Sequence, residues 1–236
     1  MALKANKNIN PMKKSPIHRP QSLAVTVAER LKEAILRREI ALGEPLSEEK
    51  IAMAMEVSRT PVREALTLLQ MQGLINILPR RGSIVFLPDV EELRALVDYR
   101  LHLELLVSRL ALERAPEATL AGLRESIALM EAARGDDDSL AYAEADTKFH
   151  NVFFENAGNS FFAEAFDIAS GRLAALRAHL SAQLSLHRHT TYAEHLEIAE
   201  AVENRDAEAL ARVLTAHIAA MEPNYSGALQ TLGERA

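Results

Sequence analysis

The sequence contains no cysteine. That excludes disulfides and any thiolate metal site. No apolar run approaches the ~20 residues needed to span a membrane. The N-terminus lacks the apolar stretch of a secretory signal, so a soluble, cytoplasmic protein without membrane partners is expected. Beyond residue 89 no strand-like alternation appears. What is present is enough apolar material, 48% of 236 residues, for real cores, at a length that suits two domains better than one. Charge is divided unevenly. Residues 1–88 carry 14 Lys and Arg against 8 Glu, whereas the remainder carries 13 against 25 acids. A basic N-terminal part beside an acidic C-terminal part suggests that only the first meets a polyanion.

The stretch Ser47–Gly73 reads as two helices joined by a tight turn. Ser47 is an N-cap, followed by Glu48 and Glu49 where a helix dipole favours acid. Ile51, Ala54 and Met55 recur at helical spacing, and Glu56-Val57 carries the turn. Ser58 or Thr60 can cap the second helix, and Pro61 suits its first turn. Val62, Ala65, Leu66 and Leu69 form one apolar stripe, and Gly73 ends it. Ser58, Arg59, Thr60 and Arg63 crowd phosphate and base-edge donors at this helix N-terminus, the end that recognition helices present to the major groove. The plainer alternative is a surface helix with ordinary caps. Leu74–Leu78 and Ser83–Leu87 then read as a hairpin around Pro79-Arg80-Arg81-Gly82. Its tip arginines suit a narrow minor groove. The whole is a winged helix-turn-helix.

Gly43, Leu46-Ser47-Glu48-Glu49, Val57-Ser58-Arg59-Thr60-Pro61-Val62-Arg63-Glu64-Ala65-Leu66, Gly73-Leu74 and Arg81-Gly82 together resemble the DNA-binding domain of GntR-family transcription regulators, across roughly Val25 to Phe86. The resemblance implies DNA contacts by Ser58, Arg59, Thr60, Arg63, Arg80, Arg81 and Gly82. One position departs: Glu56 stands where the family usually has Gly, and bears strain if the turn needs φ > 0.

Residues 1–20 are basic, Pro-containing and aperiodic, and are expected to be a disordered tail. It could add non-specific DNA affinity, although such tails are more often only solvated. Leu23, Val27, Leu31 and Ile35 mark a first helix ending near Arg38. The DNA-binding domain is taken as 21–88, and Asp89 can cap the next helix. Residues 89–222 then read as an all-α antiparallel bundle, so the fold class is mainly α. Six helices are expected near 90–114, 117–134, 138–156, 159–184, 189–203 and 206–221. Pro116, Gly135–Asp138, Gly158-Asn159, a polar stretch around His187-Arg188-His189 and Asn204–Asp206 separate them. Residues 223–236, from Pro223, are expected to fray.

Asp146 and His150 are four residues apart and share a helix face. His195 and His217 lie on neighbouring antiparallel helices. One carboxylate and three imidazoles from three helices could converge in the bundle core, as bundle metal sites do. The set suits zinc, with nickel or another divalent transition metal as alternatives. The bland reading is that each histidine is a surface or satisfied core residue. His187 and His189 belong near an exposed loop, and His18, His102 and His179 have no evident partner.

Arg100 with Leu103-Glu104, Asp146 and His150 with Gly158-Asn159, Glu194-His195 with Ile198, and Asp206-Ala207 with His217-Ile218 resemble, in order and spacing, the FCD effector-binding domain of the FadR subfamily, in its six-helix, VanR-like version. The likeness covers about Val90–Met221. It implies that Asp146, His150, His195 and His217 ligate one metal ion, and that Arg100 faces an effector cavity where a guanidinium can grip a carboxylate. Arg100 could instead pair with Asp98, Glu104 or another acid, and Arg172 or Arg177 could also line the pocket. The resemblance implies a homodimeric regulator that reads a pseudo-palindromic operator in double-stranded DNA under control of a small carboxylate; a repressor is expected, with an activator as the alternative. A metal-dependent enzyme and a regulator with a purely structural metal are the rivals.

Overall fold

The computed structural model describes residues 22–78, 80, 82–180 and 185–233, the side chains of 185–189 and 230–233 excepted. Helix α1, Leu23–Leu36, is capped by Ser22 and buries Val27, Leu31 and Ile35. Helix α2, Glu48–Ala54, is capped by Ser47, whose hydroxyl accepts from Lys50 N. Helix α3, Arg59–Met71, starts at Ser58, which adopts the extended conformation of a cap without accepting a side-chain bond. It buries Val62, Ala65, Leu66 and Leu69 against α1. Those four are at most 1% exposed, so the expected stripe is the core of this domain.

The turn before α3 does require a left-handed residue. Glu56 has φ 55°, the conformation that glycine adopts without penalty and other residues do not. The wing pairs β2, Ile75–Leu78, antiparallel with β3, Gly82–Val85. A third strand, β1 at Pro45–Leu46, adds to the far edge of β3 and was not expected from sequence. The sheet order is β1-β3-β2.

Helix α4, Val90–Arg114, opens on a capping box made by Asp89 and Glu92. Helices α5 (Pro116–Gly135), α6 (Ser139–Asn156), α7 (Ser160–Leu180), α8 (Ser185–Glu203), α9 (Ala207–Ala219) and α10 (Met221–Gly233) succeed it. Pro116 stands in the first turn of α5, while Asp138 and Asp206 cap α6 and α9. Helix α4 packs against α5, α6, α7, α9 and α10, which makes it the axis of the bundle.

Two expectations fail here. The stretch His187-Arg188-His189 is not a break but lies within α8. It holds neither Gly nor Pro, and polarity alone does not interrupt a helix. The chain after Pro223 does not fray: α10 runs to Gly233, so the described domain has seven helices, not six. Pro223 is the third residue of α10, inside the first turn, where a missing N–H removes no intrahelical bond. Met221, Tyr225 and Leu229, spaced by four, are buried on one face of this helix. The expected tail at residues 1–20 lies outside the described residues.

Candidate metal centre and nucleic-acid interface

Helix α6 brings Asp146 and His150 to the bundle core, α8 brings His195 and α9 brings His217. One ligand atom from each lies within 4.8 Å of all the others. Their exposures are 8%, 0%, 0% and 7% in that order, so the cluster is closed from solvent. His195 Nε2 is 3.1 Å from Asp146 Oδ1 and His150 Nε2 is 3.9 Å from the same oxygen. The Nε2 atoms of His150 and His217 are 3.2 Å apart.

The outer nitrogens explain that last contact. His150 Nδ1 is 2.7 Å from Glu104 Oε2, although not aligned as a good hydrogen bond, and His217 Nδ1 is 2.7 Å from Glu194 Oε2. A carboxylate beside Nδ1 favours the tautomer with the proton there. Burial lowers the pKa of His150 well below its usual value, against the opposing pull of Glu104. Burial likewise takes His217 down to about 4, against its bond to Glu194. With the proton of each ring on Nδ1, the two Nε2 atoms would face each other as acceptors. A cation between them would be bound by both. His195 adds a buried Nδ1 without a hydrogen-bond partner, and its Nε2 faces Asp146 Oδ1 without good hydrogen-bond alignment. A donor set of three imidazoles and one carboxylate, with orphaned nitrogens facing inward, fits a divalent transition metal.

Two arginines border the cluster. Arg100 Nε donates to Glu104 Oε1 at 2.7 Å, so the alternative pairing on α4 is realised. Its Nη1 approaches Met221 Sδ at 3.6 Å. Arg177 pairs through Nε with Asp146 Oδ2, the oxygen turned away from His195, and reaches Thr147 Oγ1 at 3.3 Å. Each arginine leaves Nη2 buried without a partner. Burial would raise the pKa of Asp146 and Glu104, but Arg177 and Arg100 respectively hold both well below the usual carboxylate range. Sequence reasoning had Glu104 only as part of the resemblance and a possible partner of Arg100, and Glu194 only as part of the resemblance; it assigned no role to Met221 and left Arg177 open. Spacing pointed to Glu104, one helical turn beyond Arg100, but carboxylates at that spacing are ordinary on solvated helices. Arg172 does not join this site; it meets the DNA-binding domain, where its Nε donates to Gly73 O at 3.0 Å.

Ser58, Arg59, Thr60 and Arg63 are together and exposed at the N-terminal end of α3. Arg59 pairs with Glu49 at 2.8 Å and Arg63 with Glu48 at 2.7 Å. Such exposed pairs are each worth only ~0–1 kcal/mol, so a phosphate can displace them. Arg80 stands at the wing tip with φ 65°, next to Gly82 at φ 90° in the same turn; Arg81 lies outside the described residues. Of the remaining histidines, His102 and His179 face backbone carbonyls, those of Asp98 at 2.9 Å and Ile35 at 2.7 Å. His18 and the side chains of His187 and His189 lie outside the described part of the chain.

Comparison with known proteins divides the chain along the same lines. Residues 23–85 match the model of bacterial regulatory proteins, gntR family, and residues 95–220 match the FCD domain. The HTH-type transcriptional repressor NanR of Edwardsiella tarda is 31% identical over 227 residues, covering 88% of this chain and 86% of NanR. NanR of Cronobacter sakazakii is 30% identical, covering 84% and 83%. A transcriptional regulator GntR from Rhodococcus sp. RHA1 has the same fold, with a TM-score of 0.77, 23% identity, and coverage of 87% of this chain and 98% of that one. The E. coli protein McbR/YncC has a TM-score of 0.70 and 21% identity, covering 89% and 98%. Among the described residues no helix is long and apolar enough to cross a membrane.

Proposed function

Because the chain belongs to the GntR family of bacterial regulatory proteins and carries an FCD domain, we propose that it is a repressor whose hold on its operator is set by a small organic acid at a metal site in the helical domain. That it is a DNA-binding transcription regulator and not an enzyme follows from the family and the relatives. The metal, the acid and the homodimer belong to the proposal.

The observation that carries the metal is the facing pair of imidazoles, His150 and His217, with Nε2 atoms 3.2 Å apart beside Asp146 and His195. Asp146, His150, His195 and His217 would hold the ion, zinc first among candidates and nickel an alternative. Glu104 and Glu194 would keep two of the rings turned inward. The bound ion supplies open coordination positions that attract an oxygen ligand. The acid is supported by the unpartnered Nη2 atoms of Arg100 and Arg177, since a buried guanidinium N–H without an acceptor is costly. A carboxylate would satisfy them. The closed cluster admits an acid only if the helices move, and that gives the acid different affinities for two arrangements, the condition for allostery.

On DNA, Ser58, Arg59, Thr60 and Arg63 would enter the major groove, and the wing at Arg80, Arg81 and Gly82 would track the adjacent minor groove or backbone. A homodimer would place two such units on a pseudo-palindromic operator. The test is a titration of operator DNA by metal-loaded protein against a panel of carboxylic acids, with thermal stability measured in parallel. An acid that raises the melting temperature and weakens operator binding supports the reading. Metal binding without response to any acid leaves a structural metal instead.

A further inference from the structure

Helix α7 touches both the metal cluster and the DNA-binding domain. Toward the cluster, Arg177 pairs with Asp146. Toward the other domain it makes two polar contacts, each to a carbonyl at a helix end. Arg172 Nε donates to Gly73 O at 3.0 Å, just past the recognition helix α3, and its guanidinium lies over the Phe86 ring at 5.2 Å. His179 Nε2 lies 2.7 Å from Ile35 O in the last turn of α1. Since a carbonyl only accepts, that nitrogen carries the hydrogen.

Two glycines mark the points of closest approach between these surfaces. A Cβ added at Gly73 would lie 2.1 Å from Arg172 Cζ, and Gly73 already has φ 71°. A Cβ added at Gly171 would lie 3.0 Å from Leu74 Cγ. Glycine on each side lets α7 sit directly against the turn between α3 and β2. A displacement of α7 is passed on at those points of close approach.

We infer that Arg172 and His179 are positioning residues for operator binding, and that α7 is the element by which the state of the metal cluster sets the placement of α3. This rests on the reading that Asp146 is a metal ligand. An ion drawn to Asp146 competes with Arg177 for that carboxylate. Any adjustment of Arg177 is borne by a helix whose other contacts fix the ends of α1 and α3. The recognition helix α3 and its packing partner α1 then move with α7, and not through the Pro88-Asp89 connection alone.

The test uses full-length protein, zinc as the probe and operator DNA. Operator Kd is measured for zinc-loaded and chelator-stripped protein, for wild type, Gly171→Ala, Arg172→Ala and Arg172→Lys. Zinc affinity is measured separately by competition with a chromogenic chelator, and circular dichroism checks the fold. Gly171→Ala adds one methyl to a helix and favours helix formation, so it alters the fit without removing a contact. Wild type is expected to change operator Kd by roughly fivefold or more between the two states, the lower end of typical coupling. Gly171→Ala and Arg172→Ala should bring that ratio within about twofold of unity while zinc affinity stays within the same margin. Arg172→Lys, which keeps a donor for Gly73 O, should recover part of it. A wild-type ratio retained in Gly171→Ala and Arg172→Ala overturns the inference, as does a wild type that binds zinc without any change in operator Kd. A wild type that binds no zinc overturns the metal reading itself, a distinct failure visible in the competition assay.

Discussion

His150 and His217 meet Nε2 to Nε2 across 3.2 Å, and each presents its Nδ1 to a carboxylate 2.7 Å away. A cation between them would be bound by both rings. The ligands come from three helices, so the affinity for the ion appears partly as fold stability. Chelation is expected to lower the melting temperature without abolishing the fold, because the apolar seams of α4, α5 and α6 remain. His195→Ala should reduce metal content in elemental analysis of protein purified without a histidine tag. Equal metal in both proteins, or none in either after divalent ions are supplied, would rule the site out.

Arg59 lies at the first turn of α3 and is held in the free protein only by the exposed Glu49. Arg59→Ala should weaken operator binding by at least tenfold, consistent with the ~1–3 kcal/mol of one charged base or phosphate contact. A gel-shift titration at fixed salt measures it, with circular dichroism showing that α3 survives. Wild-type affinity in a folded mutant would mean that this helix end does not face DNA.

Arg80 takes a left-handed conformation at the wing tip. If it and Arg81 neutralise phosphates, replacing both with Ala should reduce the slope of log K against log salt by about 2, nearly one per lost contact. An unchanged slope would place the wing away from the duplex.

Legibility in the sequence depended on the strength of the local signals. The helix boundaries at Pro116, Asp138 and Asp206 were legible because each residue has a specific role at a helix start. The cluster of Asp146, His150, His195 and His217 was legible because imidazoles and a carboxylate at helical spacing are uncommon inside an apolar bundle. Strand β1 was not, since two residues, Pro45–Leu46, carry no period, and their partner β3 is remote in sequence. Glu194 was not, because one acid next to His195 looks like any solvated acid until α9 brings His217 against it. Helix α10 was hidden by Pro223, which reads as a terminator only if the preceding helix is assumed to continue.

Glu56 bears on stability alone. It is exposed, with φ 55°, so its side chain contributes little that would offset the left-handed backbone. Glu56→Gly should stabilise the DNA-binding domain by about 1 kcal/mol, the lower end of the penalty for an L-residue in this region. Urea unfolding should show a higher midpoint with an unchanged slope. A lower midpoint would mean that the extra freedom of Gly in the unfolded chain outweighs the relieved strain.

Helix α10, unexpected from the sequence, reaches the two arginines that border the histidine cluster. It places Met221 Sδ 3.6 Å from Arg100 Nη1, and Tyr225, 5% exposed, acts electrostatically on Arg177. It therefore closes the side of the cluster on which both arginines stand, as well as burying Leu229. Tyr225→Ala opens a cavity in that wall and should destabilise the helical domain by about 3 kcal/mol or more, as loss of a buried aromatic ring does. Tyr225→Phe keeps the ring and should recover most of that stability. The two variants separate packing from chemistry: if the phenol oxygen matters to an acid bound beside Arg177, Tyr225→Phe melts near wild type yet responds less to the acid in the operator titration. A Tyr225→Ala variant as stable as wild type would mean that α10 is an appendage, and that the bundle closes over its metal cluster without it.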